Sequence, residues 1–191
     1  MATATDATRT TLLDAALRLH AAGDGQAIRM EDIAVAAGVS RATLYYHFRS
    51  REALLDALVQ RGIGEFAEAV TSAIADALPP EAVIGAAVRR LALQAPLIVV
   101  VLGEIGSLPG QAADLATRLE AAVIAPFGAY LARCIEAGTI RPCDPQLCAA
   151  ALIGQVESVL GGAFALGRTP DPAHVEAELV ALTRAALAPG R

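Results

Sequence analysis

The chain has no Lys and no Trp, only three Cys and two Met, and aromatic residues make up 4% of it. Without Lys, all 15 basic side chains are Arg, and they face 20 acids for a net charge of −5. That balance argues against nucleic acid wrapped over the whole surface. The cysteines, Cys134, Cys143 and Cys148, have spacings that fit neither a disulfide framework nor the C-x-x-C ligands of a structural zinc. They read as inert or partly buried thiols, with redox sensing near Arg141 as the alternative. Three histidines, His20, His47 and His174, stand too far apart for a local metal or acid–base motif. G-x-S-x-G, H-E-x-x-H and phosphate-loop patterns are also missing, so the expectation is no enzyme, no metal and no cofactor. Long hydrophobic runs are absent too. The longest uncharged stretch, between Arg90 and Glu104, has 13 residues with Pro96 inside, short of the roughly 18 a bilayer span needs. Asp6, Arg9 and Asp14 interrupt the start of the chain, which argues against a secretory leader. The expectation is a cytoplasmic protein without a membrane partner.

What is present is aliphatic. Of 191 residues, 55% are hydrophobic, many of them Ala and Leu, which favours long helices around a sizeable core. The length suits one mid-sized domain or a small domain joined to a larger one. Charge is uneven: residues 1–64 carry 7 Arg and 7 acids, whereas residues 65–191 carry 8 Arg and 13 acids. Within 40–61, Arg41, Arg49, Arg51 and Arg61 face only Glu52 and Asp56, a footprint that matters only where a recognition geometry coincides with it. Arg49 and Arg61 taken singly read as solvated side chains.

Apolar spacing predicts helices over 8–22, 30–37, 41–48, 51–77, 81–94, 97–106, 112–137, 145–166 and 172–187. Gly38 follows the second, and Ser40 and Ser50 are placed to cap the third and fourth. Pro79-Pro80 is read as the stop of the fourth, and Asp144-Pro145 and Asp171-Pro172 as start signals. The run 97–102 has strand propensity but no partner strand, so it is assigned to a buried helix. The fold class is all-α.

Residues 31–48 form two short helices joined by Gly38-Val39-Ser40. Ala34 is small where the helices cross, Gly38 makes the turn, and Ile33, Ala37, Val39 and Leu44 lock the second helix on the first, which is helix-turn-helix spacing. With Leu44 and Phe48 inward, Arg41, Ala42, Thr43, Tyr45 and Tyr46 lie wholly or partly outward or at the leading end. Arg41 can pair with guanine O6/N7 and Thr43 can offer a hydroxyl or a methyl to a base. Tyr45, Tyr46 and His47 suit phosphates, or alternatively a packed aromatic corner. Ser50 and Arg51 add a further phosphate site at the next helix start.

Residues 31–58, above all the stretch from Gly38 through Ser40-Arg41-Ala42-Thr43-Leu44-Tyr45-Tyr46-His47-Phe48 to Leu58, resemble the DNA-binding signature of the TetR family of bacterial transcriptional regulators. The resemblance implies a helix-turn-helix domain over 1–50, then a helical ligand-binding and dimerisation domain over 51–191, with helix 51–77 linking the two. It makes 41–47 the recognition helix, with Arg41, Thr43 and Tyr45 near bases and Tyr46, His47 and Arg51 near phosphates. Arg29 stands where the family usually has a Ser or Thr cap, so that cap is expected to be missing or supplied differently.

The same resemblance implies double-stranded operator DNA with palindromic half-sites, a homodimer, a small-molecule effector and, by default, repression. Helices 145–166 and 172–187 are then the dimer surface, with Leu152, Val156, Val159, Leu160, Ala163, Leu179, Leu182 and Leu187 as its apolar face. Gly161-Gly162 allows close approach there, or equally a bend. Effector contacts are expected among 81–137, from Glu104, Ser107 and Tyr130, with Gln155 added from the next helix. The rival reading is a non-regulatory helical adaptor without sequence-dependent DNA binding.

Overall fold

The computed structural model describes residues 4–22, 29–94 and 111–189. Among these there are eight helices and no strand: α1 (Ala4–Ala22), α2 (Met30–Ala37), α3 (Arg41–His47), α4 (Arg51–Ala75), α5 (Pro80–Leu93), α6 (111–136), α7 (Pro145–Ala165) and α8 (Pro172–Leu187). The helix expected over 97–106 lies outside the described residues. They divide into two compact units, Met1–Arg61 and Gly62–Arg191.

In the first unit Leu12, Leu13, Ala16, Ile33, Ala34, Leu44, Phe48, Leu54 and Leu58 are buried. α1 starts earlier than its apolar periodicity indicates, because its first turns are polar; there the Thr10 and Thr11 hydroxyls donate to the carbonyls of Asp6 and Ala7. Arg61 is tied to Asp14 at 2.7 Å, which corrects its reading as a merely solvated side chain.

The second unit is built on one apolar core, which includes Phe66, Val70, Val83, Ile84, Val88, Phe127, Leu131, Ile153, Val156, Leu160 and Leu179. α5 and α8 lie close together at Gly85, where an added Cβ would sit 3.0 Å from the Glu176 carboxylate and 3.4 Å from Val180. Ion pairs Arg89–Glu176 and Arg184–Glu81 cross the same boundary.

Pro79-Pro80 does not end α4. The helix stops at Ala75, Ala77 turns left-handed at φ 52°, and Leu78 and Ala77 donate backward to the carbonyls of Ala73 and Ile74. This is a Schellman stop with Ala at the position that usually holds Gly. Pro80 instead opens α5 at its first turn, where a missing N–H costs nothing.

α6 has a wide π turn over Glu120–Ile124 between α-helical segments. Pro126 follows it and has no N–H to give to the carbonyl of Ala122, and Ala125 reaches back five residues to Glu120. Lost i→i−4 donors of this kind are a physical cause of local widening. The stretch Ala113–Glu136 and α7 are long and apolar enough, by length and composition, to cross a membrane. Their Phe127, Leu131, Ile153, Val156 and Leu160 are placed in the core of this unit.

Candidate nucleic-acid interface

α2 ends at Gly38, whose φ of 68° is left-handed. Glycine takes that conformation without a Cβ penalty, and the chain reverses into α3. Ser40 caps α3: its Oγ accepts from the Thr43 backbone N–H at 3.0 Å and lies 2.8 Å from the Thr43 hydroxyl. The Thr43 hydroxyl is therefore engaged in the cap and its side chain is only half-exposed. At the start of α2, Arg29 makes no side-chain cap. Its guanidinium is instead held by Asp32 through two 3.1 Å hydrogen bonds.

Leu44 and Phe48 are 0% and 2% exposed, which fixes the back of α3 against the unit's core. Ser40, Arg41, Ala42 and Tyr46 are exposed, while Tyr45, His47, Ser50 and Arg51 are half-buried. Tyr46 reaches 78% exposure and its ring meets His47 edge-on at 5.3 Å. The Arg41 guanidinium pairs with Glu31 of α2 at 3.0 Å and lies over the Tyr45 ring. Both ends of the Arg41–Glu31 pair are well solvated, so separating them costs about 1 kcal/mol or less. At the next helix, Ser50 Oγ accepts from the Ala53 N–H at 3.2 Å. A hydrogen bond from Ser50, and then its own backbone N–H, hold the Glu52 carboxyl below the ordinary range.

Chemically this is a short helix end, backed by buried Leu44 and Phe48, with an exposed guanidinium, a small residue and an exposed phenol on one side. Residues 12–58 match the family model described as bacterial regulatory proteins of the tetR family. The match covers about a quarter of the chain, so the likeness to the TetR family is a likeness of this segment. The chain is 48% identical over 69 residues to an uncharacterised helix-turn-helix-type transcriptional regulator of Mycobacterium tuberculosis; the match takes in 36% of this chain and spans about a third, 34%, of that relative's length. Two solved structures share the fold. The fatty acid degradation regulator FadR from Bacillus halodurans is 22% identical, with TM-score 0.75 over 91% of this chain and 96% of that one. AibR, solved with isovaleryl coenzyme A and operator DNA, is 24% identical, with TM-score 0.66 over 92% and 97%.

The remaining expected site residues are scattered. Glu104 and Ser107 lie outside the described residues. Tyr130 lines a cleft of about 420 Å³ with Pro80, Glu81, Ile140, Arg184 and Leu187. Its hydroxyl donates to the Leu78 carbonyl, and burial followed by the hydrogen bond with Cys134 pushes its pKa to about 12. Gln155 is exposed and is not among the residues of that cleft.

The residues of the expected dimer face fall into two groups. Leu152, Val156, Leu160, Leu179 and Leu187 are buried in the unit's own core. α7 is apolar on almost every side, so periodicity alone could not say which stripe faces inward. Val159 and Leu182 are exposed, as are Leu147 and Leu166, which the sequence reading did not select. Ala163 is half-buried and Gly162 has open space around it. Glu157 was also missed. It is half-buried on α7, and burial holds its carboxyl above the ordinary range.

Proposed function

We propose that this chain is a sequence-specific DNA-binding transcriptional regulator and not an enzyme, acting in the cytoplasm as a homodimer on palindromic operator DNA. The observation that carries this reading is α3 itself: Leu44 anchors it from behind while Arg41, Ala42 and Tyr46 stand outward. In the groove, Arg41 exchanges Glu31 for a guanine edge, an exchange that loses only a solvated ion pair. Thr43 contributes its methyl to a thymine more readily than its capped hydroxyl. Tyr45 reads beside it, and Tyr46, His47, Ser40, Ser50 and Arg51 hold phosphates that set register.

The regulator is a repressor released by a small hydrophobic or amphipathic effector bound in the second unit. The cleft beside Tyr130 has a volume within the usual range for small-molecule sites. AibR, a fold relative, was solved with isovaleryl coenzyme A as well as operator DNA. α4 has residues in both units, and an effector-induced shift at 66–75 pivots Arg51 and α3, changing the match to half-site spacing. Val159, Ala163 and Leu182, joined by Leu166, supply the apolar contact between protomers.

Selection of bound duplexes from a random pool, followed by footprinting, tests the reading. It predicts an inverted repeat with half-site centres about 34 Å apart or a multiple of that. Recovery of unrelated sequences without protected half-sites would contradict it.

A further inference from the structure

Cys143 and Cys148 were set aside on sequence spacing, yet the start of α7 brings them together. Asp144 is the cap of this helix, and its Oδ1 accepts from the N–H groups of Gln146 and Leu147, both at 3.0 Å. The Cys148 N–H closes the first turn onto the Asp144 carbonyl at 2.9 Å. Cys143 is thus the residue before the cap and Cys148 the fourth residue of the helix. Side chains at these two positions meet across a helix start, where apolar residues usually form a staple. Here the staple is made of two thiols. Both are free, half-buried and packed on the core, and they are hydrogen-bonded to each other.

We propose that Cys143 and Cys148 are a reversible dithiol–disulfide site, oxidised by low-molecular-weight disulfides of the glutathione class. The Cys148 sulfur attacks one sulfur of the small disulfide, forming a mixed disulfide and releasing one small thiol, which takes the proton. The Cys143 sulfur then attacks the Cys148 sulfur and expels the second small thiol with the second proton. Two protein thiols are oxidised and one small disulfide is reduced to two thiols.

Burial, and then the hydrogen bond that its S–H donates to Cys148, raise the Cys143 pKa to about 11. Cys143 is accordingly the closing thiol and not the first attacker. Its low thiolate fraction is offset because the second attack is intramolecular, between groups already in contact. Cys143 lies before the helix, so its backbone can adjust as the bond forms without unwinding α7. Cys134 is buried on α6, where it is hydrogen-bonded to Tyr130; it takes no part.

The test treats the full-length reduced protein with oxidised glutathione in native buffer, blocks remaining thiols with iodoacetamide and weighs the intact chain and its peptides. The expected product carries a single alkylated cysteine, at Cys134, is two hydrogens lighter than a reduced chain with that one modification, and regains two reactive thiols after reduction. Cys134→Ser should close the same bond, whereas Cys143→Ser should stop at a glutathione adduct on Cys148. A native chain that keeps all three thiols, stays as a glutathione adduct, or forms a bond through Cys134 or between chains would overturn the proposal.

Discussion

Arg41 combines two roles that a sequence cannot separate. In the free chain it is held by Glu31 at 3.0 Å and lies over Tyr45, and in the proposed complex it is the side chain that reads a base. Replacing it with Ala should cost about 1–3 kcal/mol at one operator position and relax the preference there. Tyr46→Ala should weaken binding to all duplexes more evenly. Fluorescence titration against a panel of single-position operator variants distinguishes the two patterns, and a uniform loss for Arg41→Ala would count against its base-reading role. Glu157 gives a residue-scale prediction of another kind. Its folded pKa is raised above 4.5 by burial, so the folded chain holds this proton more tightly than the unfolded chain does. The stability linked to that proton is present below the ordinary carboxyl range and is lost as pH rises through the raised value. Glu157→Gln should therefore melt higher than the parent at about pH 7.5, with the gap closing toward about pH 4. An identical gap at both values would show that the carboxyl charge is not the cause. The outward placement of Arg41 was legible from the motif; the burial of Glu157 was not, because a single acid in an apolar helix gives no sign of how deeply it sits.

Helices were easiest to read where punctuation and periodicity agreed. Ser40, Asp144 and Asp171 each cap the helix that the sequence assigned to them, and Gly38 makes the expected turn. The stop of α4 escaped detection because Ala77 takes a left-handed conformation that glycine usually marks. An L-residue there is strained by roughly 1–2 kcal/mol, which outweighs the roughly 0.5–1 kcal/mol that the greater entropy of the glycine chain costs, so Ala77→Gly should raise stability by up to about 1 kcal/mol. Urea unfolding of the variant checks this, and a lower midpoint would mean that the turn carries no strain. The π turn in α6 was equally hidden, since Pro126 in a sequence signals either a break or a helix start. The thiol staple of α7 was readable in principle: Asp144-Pro145 announces the helix start, and counting one residue back and four forward from the cap arrives at Cys143 and Cys148.

At the scale of the whole molecule, the proposed DNA binding is compatible with an acidic chain because residues 1–64 are locally neutral and the excess acid lies beyond residue 64. The proposed dimer face was the least legible feature, because α7 and α8 bury one apolar stripe in their own chain and leave another exposed at Val159, Leu166 and Leu182. The claim on which the functional account rests is that α3 enters a major groove with Arg41 against a guanine. Methylation interference with dimethyl sulfate on the selected operator tests it most directly, because the reagent marks guanine N7 in the major groove and adenine N3 in the minor groove. The account predicts that methylation of a symmetry-related guanine in each half-site blocks the native protein and that Arg41→Ala loses this sensitivity. Interference confined to adenine N3, or guanine interference unchanged in Arg41→Ala, would contradict it.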